Sequence, residues 1–502
     1  MKVHLLYPDR ALDPDGPVAA HAADLVADLE LGSLLDAMAG GDAFLRETAR
    51  RVLVAPVTDP AGIHYRQAIL ADARERRAVV RDLYGIAVDA VLGEARVWGA
   101  FLDAYAESVL ARATTVLELF IGLLRRLRAL GDQHAATFAS DGMRRLFAEI
   151  DRDLDDAYLR SIEVHLERLR FRDGMVLSVG LGAGNRGDGY VLRRPADGGK
   201  GWRQRVPLLD RDGYTYRIPE QSETAARNFA ALKSQGIAQA AAALAQATDQ
   251  ILGYFKALRF ELGFYVGSLN LEERLTAKRQ SVCVPVAQAS GSGLLSSTGL
   301  RDLALVLAVP PGGAVANDLD AAGRPLVVIT GANRGGKSTL LRSLGQAQLM
   351  LQAGMFVGAE AFEAEVRGGV YTHFKREEDA GLESGKLDEE LRRMSRIVDA
   401  LPPDALLLLN ESFASTNERE GAEIARQIVR PLLDAGVRVT YVTHMFALAD
   451  GLARSEPDRG LFLRAERTGD GGRTYRVVPG EPLPTSFGGD IYRRVFGRPL
   501  GG

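Results

Sequence analysis

The sequence predicts a largely α-helical region followed by an α/β domain with a P-loop, and three observations carry that expectation. The first is the apolar run LVVIT at 326–330 leading into GANRGGKST at 331–339. A short β-rich strand entering a glycine-rich turn and then a helix aims backbone N–H groups and the helix dipole at a phosphate. The nucleotide-binding residues of that pattern are Gly331, Ala332, Asn333, Arg334, Gly335, Gly336, Lys337, Ser338 and Thr339. Lys337 is placed to reach the β- and γ-phosphates of a nucleotide such as ATP, and the Ser338 hydroxyl to ligate Mg2+.

The second observation is a pair of further apolar runs that end in polar residues. LLLLNE at 406–411 reads as a buried parallel strand ending in Asn410 and Glu411, where α/β folds place their chemistry. Glu411 can orient or deprotonate an attacking water. VRVTYVT at 437–443 is another buried strand, with His444 at its C-terminal end. That histidine can sense a γ-phosphate or serve only the structure.

The third observation is helical periodicity over most of the first 280 residues. Apolar positions recur at helical spacing from 21 to 54, with a break at Gly40 and Gly41, and two prolines mark a turn at 55–63. Two long helices are expected at 65–103 and 105–130. Arg125, Arg126 and Arg128 near the end of the second suit the helix dipole. A capped, solvated helix end accounts for them more simply than a DNA patch. After more helix at 138–170 the period changes, and 175–179, 190–194 and 214–218 read as strands of a small β-rich insertion over 172–220. Its GLGAGNRGDG segment lacks the βαβ setting of a dinucleotide site and reads as a loop. From Ser222 a very long helical pattern runs toward Lys278, with Gly236 and Gly253 as potential breaks. A stretch of roughly 40 residues would reach about 60 Å, the length of a lever or coiled-coil-like arm.

Near Ser281 the composition shifts toward Val, Ser and Gly, which places the start of the nucleotide-binding domain there. The expected division is a lead-in at 1–30, a helical region at 31–280 and the α/β domain at 281–502. Within the last, a helix follows the P-loop, the polar stretch 375–391 is placed either to move with nucleotide state or to serve as an ordinary exposed turn and helix start, a hairpin turns at Gly469, Gly471 and Gly472, and a short helix closes the chain.

Composition bounds the function. The 502 residues are 46% hydrophobic and 25% charged, the balance of a globular protein. With 62 basic and 65 acidic residues, a net charge of −3 supplies no global field for nucleic acid, so any DNA contact is local or shape-based. The single cysteine, Cys283, permits no intrachain disulfide and no cysteine-built metal site. The N-terminus lacks the apolar core of a signal peptide, and no apolar run approaches membrane-spanning length. A cytoplasmic protein is expected.

With these motifs assembled, the chain resembles the DNA mismatch repair MutS family, and more narrowly the short MutS-related ATPases that keep the core and nucleotide-binding domains. The matching segments are TGANRGGKSTLLRS, QAGMFVGAE, the loop from Tyr371 to Met394, LLLLNESFASTNEREG and YVTHMFAL. VTDPAGIHYRQAIL near residue 60, and Asn317 with Asp318, match more weakly. The resemblance implies an ABC-type ATPase fold, a homodimer with two composite ATP sites, and Mg2+ held through Ser338 and Asn410. It assigns Glu411 to the water and makes His444 the switch histidine. Its signature segment falls on FASTN, so Ser415, Thr416 and Asn417 are the candidates to meet a partner's ATP; of the family's usual run only Thr416 is kept. Asn410 stands where the family has aspartate, which removes a charge from the Mg2+ site and implies slow turnover. The helical region begins too early to leave room for the family's mismatch-reading domain, and no nuclease domain is expected after the ATPase.

Two functions follow as expectations. The first is a dimeric, ATP-driven DNA-binding switch or clamp in DNA repair or recombination. The alternative is an ATP-gated scaffold that binds another protein and touches no DNA. A small-molecule kinase is disfavoured, because the long helices and LNESFASTN have no role in one.

Overall fold

The computed structural model describes residues 1–98, 106–171, 175–185, 187–193, 223–376, 385–468 and 472–484. The expected strand at 214–218, the cap at Ser222, Gly469 and Gly471 of the hairpin, the part of the polar stretch at 377–384 and nearly all of the closing helix lie outside them. The described residues form two compact units: 1–3, 81–137 and 145–259 in one, 4–80, 138–144 and 260–502 in the other.

The helices are α1 (Ala22–Asp28), α2 (Leu31–Ala39), α3 (Ala43–Leu53), α4 (Pro60–Glu75), α5 (Arg77–Trp98), α6 (Ala106–His134), α7 (Asp141–Asp153), α8 (Asp156–Leu169) and α9 (Glu223–Ala277). The first expected long helix is therefore two, divided at Arg76, whose φ of −118° and ψ of 41° are not helical. In contrast, α9 runs unbroken for 55 residues through both glycines. A glycine inside a helix costs about 1 kcal/mol against alanine. At Gly236 the reason for it is contact: a Cβ there would stand 2.5 Å from Leu177 Cδ2.

The first unit is built on α6, α8 and the first part of α9. Leu110, Ile237 and Ala241 form a buried cluster, and Phe120 packs on Phe255 with ring centroids 5.5 Å apart. Strands β1 (Val176–Leu181) and β2 (Gly187–Arg193) make an antiparallel ribbon around the glycine-rich turn, as expected, with Leu192 packed on that cluster. Arg125 pairs with Glu163, Arg126 with Asp89 and Arg128 with Asp132, so these three arginines of α6 have acidic partners nearby.

In the second unit β3 (Val286–Gln288), β4 (Leu295–Leu300), β5 (Asn317–Asp320) and β7 (Ala361–Glu365) form a four-stranded sheet in the order β3-β7-β4-β5. The main sheet takes β6 (Leu326–Thr330), β8 (Val370–Phe374), β9 (Leu406–Asn410), β10 (Arg438–Val442), β11 (Gly460–Arg467) and β12 (Arg473–Pro479) in the order β12-β11-β6-β10-β9-β8. All neighbours are parallel except the β11–β12 hairpin. A parallel sheet must be covered on both faces, and alternate residues of each strand serve opposite faces. Leu407 and Leu409 join the core beneath α12 (Lys386–Ala400), α13 (Glu418–Asp434) and α14 (Phe446–Ser455). Leu408 faces α11 (Lys337–Gln352), where a Cβ on Gly345 would meet it at 2.7 Å.

Hydrogen bonds tie the start of the chain to the second unit. Gln346 of α11 donates to the Leu29 carbonyl at 2.9 Å, and Gln352 to the Val57 carbonyl at 3.0 Å. Arg342 of α11 donates to the buried Asp302 at 2.8 Å, which caps α10 (Leu303–Ala308). Helices α1 to α3 thus belong with the P-loop helix.

Glu261 of α9 is buried, accepting from the N–H groups of Leu5 and Leu6 and lying near Arg66 and Tyr265. Burial pushes its carboxyl up to about 7 from an ordinary 4.5, against the opposing N–H bonds. The folded chain therefore holds a proton that the unfolded chain has released between those values, and stability falls as pH rises through that window, by about 1.4 kcal/mol per pH unit at most. Thermal unfolding from pH 5 to 8 should show this decline, and Glu261→Gln should flatten it. An unchanged slope in the variant would remove Glu261 as its source.

Candidate nucleotide site

The register of three strands builds the site. Val442 of β10 pairs with Ile329 of β6 on one side and with Asn410 of β9 on the other. The C-terminal ends of the three strands are therefore level, and each carries its loop to the same edge. The P-loop leaves β6, Glu411 follows β9, and His444 follows β10 after Thr443.

Two glycines of the P-loop are required by their backbone and surroundings. Gly331 has φ 109° and Gly336 φ 95°, in the region glycine favours. A Cβ on Gly331 would lie 2.9 Å from the Ala465 nitrogen, and one on Gly336 2.8 Å from the Tyr475 carbonyl oxygen. The β11–β12 hairpin is thus pressed against the loop. Asn317, which the sequence offered only as part of a weaker family match, fastens that hairpin: its Oδ1 accepts from the Val477 N–H at 2.7 Å.

Lys337 opens α11 and is buried, its ammonium donating to the carbonyls of Gly331 at 2.9 Å and Ala332 at 3.0 Å. Burial lowers its pKa; Glu411 opposes this and Arg473 of β12 adds to it. A weakly solvated ammonium held by neutral carbonyls gains by exchanging them for anionic oxygens. Ser338 Oγ donates to Asn410 Oδ1 at 2.9 Å. A hydroxyl and an amide oxygen side by side are hard oxygen donors, the type Mg2+ takes together with waters and phosphate oxygens, so the residues fit that ion. Among the described residues no cluster of three His, Cys, Asp or Glu offers another metal site.

Glu411 is half-buried, with Oε1 3.7 Å from His444 Nδ1. That separation is an ion-pair distance, longer than a hydrogen bond. His444 is nevertheless the largest influence holding the carboxyl below its usual value, helped by Lys337 and Lys375 and opposed by burial. The group is a carboxylate at neutral pH, able to accept a hydrogen bond from water.

The P-loop, Ser338, Asn410, Glu411 and His444 are thus brought to one edge. The signature candidates are engaged locally. Asn417 caps α13 by accepting from the Glu420 N–H at 3.0 Å, Thr416 donates to the Glu420 carboxylate, and Ser415 donates to Glu390 at 2.9 Å. Sequence reasoning missed Arg473, Glu420 and a buried group behind Glu411 formed by Ser412, His373 and Tyr441. Only the full burial implied by VYTHF and VTYVT hinted at the last.

A parallel sheet with a P-loop after one central strand and an acidic residue after another, covered on both faces by helices, defines an ABC-ATPase-like nucleotide-binding domain, here joined to an α-helical N-terminal region. Family models agree with that class: the MutS2 N-terminal domain matches residues 58–278 and MutS domain V matches residues 327–489. The chain belongs to the MutS family and is built from these two domains. It is 32% identical over 179 residues to the DNA mismatch repair protein MutS of Thermus aquaticus, covering 35% of this chain and 22% of that protein. It is 33% identical over 123 residues to the endonuclease MutS2 of Thermus thermophilus, covering 24% of this chain and 16% of that one. For MutS of Natronomonas pharaonis the identity is 33% over 148 residues, 29% of this chain and 17% of the other. The matches span less than a quarter of these relatives' length.

Proposed function

We propose that this chain binds and hydrolyses ATP with Mg2+ and works as a dimeric, nucleotide-driven DNA-binding switch in DNA repair or recombination. The observation that carries the proposal is the arrival of Lys337, the Ser338–Asn410 pair and the Glu411–His444 pair at one sheet edge. Lys337 leaves the Gly331 and Ala332 carbonyls to hold the phosphates, while the P-loop N–H groups and the α11 dipole hold the remaining charge. Bound Mg2+ supplies charge neutralisation at the phosphate oxygens, with Ser338 and Asn410 as the residues to hold it. Glu411, kept ionised, accepts a hydrogen bond from the attacking water and orients it. His444 stands beside Glu411 and reports on the γ-phosphate. Ser415, Thr416 and Asn417 meet the second protomer's nucleotide once their contacts to Glu390 and Glu420 exchange.

One observation favours a second reading, an ATP-gated protein scaffold without DNA contact. The arginines most suited to a DNA patch, Arg125, Arg126 and Arg128, are each paired with an acid, and the net charge is −3. Among the described residues no helix is long and apolar enough to cross a membrane.

Steady-state ATP hydrolysis, measured alone and with linear, mismatched and branched DNA, separates the readings. The switch predicts turnover that changes with at least one DNA, and turnover indifferent to all of them favours the scaffold. Glu411→Gln should lower turnover roughly a hundredfold or more while ATP binding persists; a variant as active as the parent would remove Glu411 from the chemistry. Asn410→Asp restores a carboxylate opposite Ser338 and should lower the Mg2+ concentration for half-maximal activity about tenfold. An unchanged or higher Mg2+ requirement would contradict the metal role of position 410.

A further inference from the structure

The turn after β9 is restrained from behind by groups that the nucleotide chemistry has not yet used. Glu411 and Phe413 both lie in the left-handed region, at φ 53° and 62°. Residues other than glycine persist there only where their surroundings over-determine them. Ser412 between them is completely buried. Its hydroxyl lies 2.7 Å from His373 Nδ1 and 2.7 Å from the His373 carbonyl oxygen, and its own carbonyl accepts from the Tyr441 hydroxyl at 2.7 Å. His373 is completely buried on β8, its ring stacked on Phe413 with centroids 5.5 Å apart, and its Nε2 is 3.2 Å from the Glu390 carbonyl oxygen of α12. The Ser412 hydroxyl has one proton, which it donates either to the His373 carbonyl oxygen or to Nδ1; in a neutral imidazole whose Nε2–H donates to the Glu390 carbonyl, Nδ1 is the acceptor of that proton.

We infer that His373 is a positioning residue for Glu411, holding the left-handed turn at Ser412 between β8 and α12 so that the carboxylate is presented at the end of β9. His373 acts from one side and Tyr441 of β10 from the other, so the two strands flanking β9 both grip the same peptide. Because Nε2 is anchored to α12, a shift of that helix is transmitted through the imidazole to Glu411. The kinetic consequence rests on the ATPase reading above; the structural one does not.

Three variants of the full chain test this: His373→Ala, His373→Asn and Tyr441→Phe. A carboxylate left free to wander costs rate rather than ground-state binding, so His373→Ala should lower kcat roughly tenfold to a hundredfold with KM for ATP within about twofold. His373→Asn, whose amide can reach Ser412, should recover part of the loss. Tyr441→Phe deletes one hydroxyl at constant shape and should lower kcat by a smaller factor in the same direction. Without nucleotide, hydrogen–deuterium exchange in the peptide spanning 409–415 should quicken in His373→Ala and Tyr441→Phe, while the P-loop peptide keeps its protection. Unchanged exchange at 409–415 in both variants overturns the inference whether or not the chain turns over ATP, as does a loss confined to KM. Absence of hydrolysis by the parent protein would instead overturn the functional reading, leaving the exchange result to decide the role of His373.

Discussion

The pairing of Val442 with Ile329 on one side and Asn410 on the other is the constraint on which the site depends. Side chains alternate between the faces of a strand, so a slip of one residue would turn the apolar set of that strand to the wrong face. The leucines of β9 and the valines of β6 and β10 are buried on both faces, and they fix the register through the core. Fixing the register levels the three strand ends. Packing that has no part in chemistry therefore sets where Lys337, Asn410, Glu411 and His444 can be.

The same core stores strain at the edge it builds. Arg334, Glu411, Phe413 and Tyr475 all have positive φ, and they cluster in the P-loop, in the turn after β9 and in the hairpin strand pressed on the loop. Two of these places are held by their neighbours in different ways. Tyr475 lies where the β11–β12 register shifts, between the Ala465–Val477 and Arg467–Arg473 pairs, and is steadied by Asn317, whose side chain accepts from the Val477 N–H and donates weakly to the Tyr475 carbonyl at 3.4 Å. The turn after β9 is held by buried hydrogen bonds from both adjacent strands. Burial keeps the His373 imidazole neutral, its pKa pushed down to about 3, so that this support does not change charge over the physiological range.

Much of this was legible in the sequence, and the rest was not for identifiable reasons. LVVIT and LLLLN are apolar runs and RVTYV is rich in β-branched and aromatic residues, and each is a strand of the main sheet. The glycine and lysine spacing of 331–339 placed the loop and the start of α11. The four-stranded sheet was not foreseen, because AFEAE and NDLD carry little β-propensity and are strands by virtue of their neighbours. The hydrogen bonds from α11 to the carbonyls of Leu29 and Val57 were not legible either, since periodicity reports which face is buried but not against what. The break at Arg76 escaped notice because no glycine or proline marks it. Ser412 and His373 escaped for a different reason: they are 39 residues apart, and only adjacency of β8 and β9 brings them together.

The proposed switch depends on this sheet edge cradling a nucleotide. Calorimetric titration of ATP with Mg2+ into the full chain, beside Lys337→Ala, tests that most directly. One ATP bound per chain is expected, with binding lost or weakened by at least roughly tenfold in the variant as a charge-assisted contact to phosphate disappears. Binding of equal strength in both proteins, or none in either, would contradict it.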